Sequence, residues 1–171
     1  QTITYGGSIA TSTDQVTPAG LVGGDTLESV TLTPSSNQVA VADKTITPSA
    51  AVIKRGGEDA TANYNITYQP GALTINKSQP TINWAEGFGL DKTYDGQTIP
   101  NPTAEQLTIT GASYGNVTFT WYKGSVAEAN KLNAAPKDAG TYSLTASIPE
   151  TTNTAAASTD PLTVTISKAP L

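Results

Sequence analysis

Two pairs of carboxylates, Asp91 with Asp95 and Glu58 with Asp59, are the nearest approach to an acid–base constellation in this chain. Glycoside hydrolysis places two such groups across one bond. One member of the pair must then sit in an apolar setting that raises its pKa, and neither pair does. Both lie in polar, turn-forming sequence beside Gly or Lys, so no residue is assigned a catalytic role. Asp91 and Asp95 with nearby carbonyls could also offer oxygens to Ca2+. No Asp-x-Asp-x-Asp loop with a bidentate Glu accompanies them, so no metal ligand is assigned either. The glycine pairs Gly6-Gly7 and Gly23-Gly24 lack the Gly-x-Gly-x-x-Gly context that cradles phosphate. No cofactor is implied.

A third kind of chemistry is available to the aromatic side chains. Sugars stack their apolar faces on exposed rings, and Trp84, Phe88, Tyr94, Tyr114 and Tyr122 occupy positions whose strand parity or loop setting does not commit them to a core. Trp84 and Phe88 bracket Ala85-Glu86-Gly87 just past the middle of the chain. The competing reading places them in the packing of a domain junction.

Composition narrows the field further. The chain has 171 residues, no Cys, no His and no Met. Disulfides and thiolate metal sites are therefore impossible, and the usual proton-transfer side chain near neutral pH is missing. The net charge is −5, with nine Lys and Arg dispersed along the chain, which leaves no basic stripe for a nucleic-acid backbone. No apolar run is long enough to span a bilayer, so membrane insertion of this segment is not expected. Thr is roughly one residue in six, and a β-branched polar residue suits the wet face of a sheet. Few charges, no Cys and abundant Thr fit an extracellular β protein of bacterial type.

The elements that must position all these residues read as strands. Val117, Phe119 and Trp121 alternate with Thr118, Thr120 and Tyr122. Tyr142, Leu144, Ala146 and Ile148 alternate with Thr141, Ser143, Thr145 and Ser147, and Leu162, Val164 and Ile166 with Thr163, Thr165 and Ser167. Trp121 reads as the core indole of a central strand. In Asp138-Ala139-Gly140-Thr141-Tyr142, the Asp-x-Gly-x-Tyr spacing gives Asp138, Gly140 and Tyr142 a structural role, the phenol tying a loop to the sheet. Earlier in the chain, Tyr64, Ile66 and Tyr68 share one face of an expected strand that turns at Gln69-Pro70-Gly71 into a closing strand carrying Leu73 and Ile75. One place invites a short helix: Asp25-Thr26-Leu27-Glu28, where an N-cap acid precedes Glu at the capping-box spacing.

The chain also repeats itself. Thr4-Tyr5-Gly6-Gly7 returns as Thr93-Tyr94-Asp95-Gly96. Leu73-Thr74-Ile75-Asn76-Lys77 returns, at nearly the same offset, as Val164-Thr165-Ile166-Ser167-Lys168. Each copy thus opens on a Tyr-Gly turn and closes on a Thr-rich strand ending in Lys. The expectation is an all-β chain of two tandem β-sandwich modules, 1–78 and 79–171, belonging to a longer array and joined by a short Pro-containing linker. A helix after Gly24 would allow a β-grasp-like arrangement in the first.

With these motifs in place, a resemblance can be stated. Ile3-Thr4-Tyr5-Gly6-Gly7, Gly24-Asp25, Asn63-Tyr64-Asn65-Ile66-Thr67-Tyr68 and Gly71-Ala72-Leu73-Thr74-Ile75 together resemble the MBG domain of YGX type. Tyr94-Asp95-Gly96, Trp121-Tyr122-Lys123-Gly124 and the Asp138 to Tyr142 run are similar to bacterial Ig-like repeats. The resemblance implies a non-enzymatic, secreted, cell-surface repeat whose partners are neighbouring repeats of the same chain, with a glycan or a host surface protein as further candidates. Stalk domains of that kind often carry a Lys-Asn isopeptide bond. Lys123 and Asn153, with Asp138 or Glu150 as the acid, are the residues that could form one, and solvent exposure of both argues against it.

Overall fold

The computed structural model describes residues 1–111 and 114–171, and the chain is all-β. The helical segments among those residues are single 3-10 turns of three residues each. The chain divides into two compact units, Gln1–Lys77 and Ser78–Leu171. Ser78 falls in the second because its N–H donates to the Asn153 carbonyl, its own carbonyl accepts from Ala155 N–H, and its hydroxyl meets Thr154.

Unit 1 contains β1 (Thr2–Thr4), β2 (Asp25–Pro34), β3 (Thr45–Arg55), β4 (Glu58–Asp59), β5 (Gly71–Ala72) and β6 (Thr74–Asn76). Its largest piece is the antiparallel pair β2–β3, with β4 and β5 on the far edge of β3. The two long strands are irregular in matching places. Leu27 faces Ile53 while Ser29 faces Val52, and Thr31 faces Ser49, so one extra residue is accommodated near Glu28 on β2 and one near Ala50 on β3. Ala50 holds φ at 48°, in the left-handed region. Because each bulge shifts side-chain parity by one, Leu27, Val30 and Leu32 on β2 and Ile46, Pro48, Ala51 and Ile53 on β3 share one face. At one end of that face Leu32 and Ile46 pack with Leu73 and Ile75 of the closing segment, and with Ile3 and Tyr5.

Two sequence-based expectations are corrected in this unit. The Asp25 to Glu28 segment begins a strand, not a helix, and its capping acid is used otherwise: the Asp25 carboxylate accepts from Arg55 Nε and from the Tyr64 hydroxyl. With no helix there, the feature that would have suggested a β-grasp-like arrangement is gone. The Tyr64 to Tyr68 segment makes no ladder, so the expected terminal hairpin does not form. Its tyrosines reach sideways instead, Tyr64 accepting from Val22 N–H and Tyr68 from Ala51 N–H, both at 2.9 Å. Pro48 and the bulge at Ala50 explain the missing ladder, since they interrupt the row of donors on the open edge of β3.

Unit 2 contains β7 (Thr81–Trp84), β8 (Lys92–Thr93), β9 (Leu107–Thr110), β10 (Thr118–Lys123), β11 (Gly140–Ile148), β12 (Ala157–Ser158) and β13 (Leu162–Ser167). One sheet runs β10-β11-β13-β8, with β12 also on β11, and β7 pairs with β9 in another. The alternation legible in the sequence becomes the core: Tyr142, Leu144, Val164 and Ile166 pack with Trp121 and Ile99. Ile82 of β7 packs with Ala146 and Ile148 of β11, with Ile109 of β9 beside them. Ser143 and Thr145 are buried as well, because β11 has neighbours along both edges.

Candidate functional site

The two repeated motifs meet. In unit 1, β1 lies parallel to β6 with Ile3 opposite Ile75 and Thr4 opposite Asn76. In unit 2, β8 lies parallel to β13 with Lys92 opposite Ile166 and Thr93 opposite Ser167. The register is the same in both units. Each pair is prolonged by the same bond, from the N–H of the motif tyrosine to the carbonyl of the polar residue before the closing Lys: Tyr5 to Asn76 and Tyr94 to Ser167, both 2.8 Å. After the tyrosine the chain turns away through a residue of positive φ, Gly6 at 86° in unit 1 and Gly96 at 77° in unit 2. In unit 1 the turn is closed by Gly7 N–H donating to Thr4 O at 2.8 Å, and a Cβ on Gly7 would stand 3.0 Å from that carbonyl.

Further contacts hold these pairs in place. In unit 1 the Thr74 N–H donates to Gln1 O, and Ile3 and Ile75 enter the core. In unit 2 Asp91 accepts from Thr165 N–H of β13 at 2.7 Å, while Asp95 accepts from Gln97 N–H at 2.9 Å and pairs with Lys92. The Lys92 ammonium, first among its partners, holds the Asp95 carboxyl below the usual carboxylate range. A general acid needs the opposite shift. Asp59 is likewise lowered, chiefly by its hydrogen bond from Thr61. Both acid pairs noted in the sequence therefore include a carboxylate committed to a turn. Among the described residues no three or more Asp, Glu, His or Cys converge on a point where a metal ion could sit.

The aromatic candidates are only partly assembled. Trp84 stacks with Phe88 at 5.6 Å between ring centroids and with Phe119 at 6.3 Å, and its indole N–H donates to the Asp160 carbonyl at 2.9 Å. It packs against both core clusters of unit 2. Tyr94 and Tyr114 are exposed, and Tyr122 is half-buried on β10 opposite Ser143. Trp121 is 3% exposed and donates to Asn101 Oδ1 at 2.7 Å. The Tyr142 hydroxyl donates to the Asp138 carbonyl at 2.9 Å, and its ring lies against Gly140, where a Cβ would come within 3.3 Å of the phenol oxygen.

Lys123 and Asn153 stand apart. Lys123 is exposed opposite Tyr142 near the start of β11, whereas Asn153 follows the far end of that strand at Ile148. Six residues of extended strand put about 20 Å between those ends. No bond between the two side chains is within reach.

Sequence reasoning missed one apolar cavity, of about 570 Å3, in unit 1. Its floor is the β2–β3 face at Leu27, Val30 and Ile53, and the unladdered Tyr64 to Gln69 segment forms one wall. The lining includes no Asp, Glu, Lys or Arg side chain, so it holds no acid–base pair. The bulges that shape it leave a signal in the three-residue spacings Leu27 to Val30 and Pro48 to Ala51, where strict alternation would give two. Compared with known proteins, the chain matches no family model and no curated relative.

Proposed function

We propose that this chain is a non-enzymatic stalk or spacer segment of a bacterial surface adhesin, built of two tandem β-sandwich modules of MBG and Ig-like type. The observation that carries the reading is the doubled parallel pair: the sequence repeats most clearly where the Tyr-Gly motif strand of each unit meets its closing strand, and both copies use one register. Spacing modules need secure ends. An enzyme or receptor would keep its most similar residues around a cleft. The packing of Ile82 with Ala146 and Ile148 supports a sandwich in unit 2, and the Tyr142 tie to Asp138 supports its Ig-like character. Extracellular display at the cell surface follows from the same reading.

A carbohydrate-binding module is the second reading, favoured by the exposed rings of Tyr94 and Tyr114. Trp84 and Phe88, the pair best placed for it in the sequence, already stack on each other, and Trp84 is held by packing and a hydrogen bond. Binding of the fragment to arrays of glycans and host matrix proteins decides between the two. A spacer gives a flat array. Glycan binding that is lost in Tyr94→Ala or Tyr114→Ala would replace the spacer reading with the module.

A further inference from the structure

We infer that unit 1 is closed by a mechanical clamp, in which tension applied along the chain loads its terminal strand pair, β1 with β6, in shear. In unit 1 the chain enters at the Thr2 end of β1 and leaves at the Asn76 end of β6. The strands are parallel, with Thr2 opposite Thr74 and Thr4 opposite Asn76, so these two points lie at opposite ends of the pair. Tension draws β1 one way along the common axis and β6 the other. The inter-strand hydrogen bonds run across that axis and are loaded together rather than in succession. Bonds flanking the pair, Thr74 N–H to Gln1 O at 2.9 Å and Tyr5 N–H to Asn76 O at 2.8 Å, share the load. Burial of Leu73 and Ile75 at 4% exposure each anchors the closing strand in the core of unit 1.

Unit 2 has the same parallel pairing but a different point of entry: its chain comes in through β7, which pairs antiparallel with β9, so tension reaches β8 only after that strand yields. β13 leaves the unit at Ser167, parallel to β8, with Lys92 opposite Ile166, Thr93 opposite Ser167 and Tyr94 N–H on Ser167 O. Its other edge is held by β11 from Gly140 opposite Ile166 to Leu144 opposite Leu162, and the Asp91 carboxylate grips Thr165 N–H. The repeated words of the sequence thus form the same parallel pair in both units, and in unit 1 that pair joins the first strand to the last. Use of the clamp as a tether rests on the stalk reading, whereas the clamp itself rests on strand order and register.

Single-molecule force spectroscopy of the full chain tests it, since the absence of cysteine makes any introduced thiol a unique handle. In one geometry a cysteine is appended at each terminus. In the other the first handle moves to Ser8→Cys, an exposed site just past the C-terminal end of β1, so that β1 and β6 are pulled apart from the same end and their bonds break one at a time. Unit 2 is pulled identically in both and serves as the internal standard. At ~3.5 Å per residue, unit 1 releases about 270 Å with terminal handles and unit 2 about 330 Å, which tells the events apart. Forced unfolding reads the barrier directly, and the expected result is a unit 1 force at least about twofold lower in the Ser8 geometry, with unit 2 unchanged. Equal unit 1 forces in the two geometries would overturn the clamp. That outcome would leave the stalk reading standing, because the arrays decide it separately.

Discussion

Asp25 shows how one side chain can replace several backbone bonds. Its side chain is 2% exposed at the start of β2, accepts from Arg55 and Tyr64, and through Tyr64 fixes a segment that has no ladder of its own. The Arg55 contact, then the Tyr64 hydroxyl, holds its carboxyl below the usual range. A depressed carboxylate adds stability that is present above the unfolded-state pKa, about 3.9, and is lost as pH falls through the folded value. Unit 1 is therefore expected to weaken below about pH 4, and Asp25→Asn to weaken it at pH 7 while flattening the acid dependence. Urea midpoints of the two proteins at pH 7 and pH 3 check this, and parallel acid losses in both would contradict it. Tyr142 acts on a similar scale. Tyr142→Phe removes the donor to Asp138 O and is expected to cost about 1 kcal/mol in the unit 2 transition, measured by chemical denaturation.

At the scale of the element, the long strands of unit 2 were legible, its short strands β8, β9 and β12 were not, and those of unit 1 were legible only in part. β10, β11 and β13 carry uninterrupted alternation because they meet their neighbours in regular register, which makes period two visible. β2 hides the same alternation behind a bulge at Glu28. Its Leu27 to Val30 spacing, together with the Asp25 to Glu28 cap pattern, imitates a helix start. Tyr64, Ile66 and Tyr68 alternate as a strand would, yet the edge they would pair with carries Pro48 and the Ala50 bulge. Neither obstacle can be read from the tyrosine segment itself. The parallel pairs were half legible: the motifs repeat in the sequence, but their pairing with each other is a long-range fact, some 70 residues apart, which local pattern does not encode. Ala50 offers a direct test of the bulge. At φ 48° a Cβ is strained by about 1 kcal/mol, so Ala50→Gly is expected to leave unit 1 as stable or up to ~1 kcal/mol more stable, and Ala50→Val to destabilise it. Destabilisation by the glycine larger than by the valine would remove the bulge from the account.

For the whole molecule, the division of the core decides how it should unfold. Leu32, Ile46, Leu73 and Ile75 form the buried cluster of unit 1, whereas Trp121, Leu144, Val164 and Ile166 belong to unit 2, as do Ile82, Ala146 and Ile148. Each of these clusters lies within one unit, so each unit is expected to lose its own packing in its own transition. Trp121 is the sharpest probe, being buried at 3% exposure with its indole N–H satisfied by Asn101. Trp121→Ala leaves a cavity and removes the bond to Asn101, and substitutions of this kind cost about 3 to 5 kcal/mol. Against a total stability of about 5 to 15 kcal/mol for a single domain, that loss brings unit 2 close to unfolding. Calorimetry should then show one transition moved sharply down and a second, that of unit 1, in place. Hydrogen exchange should agree, with the amides of β11 and β13 losing protection while those of β2 and β3 retain it. A single transition moving as one would mean that the two cores are coupled, and tension on one unit would then be felt by the other before its own parallel pair gives way.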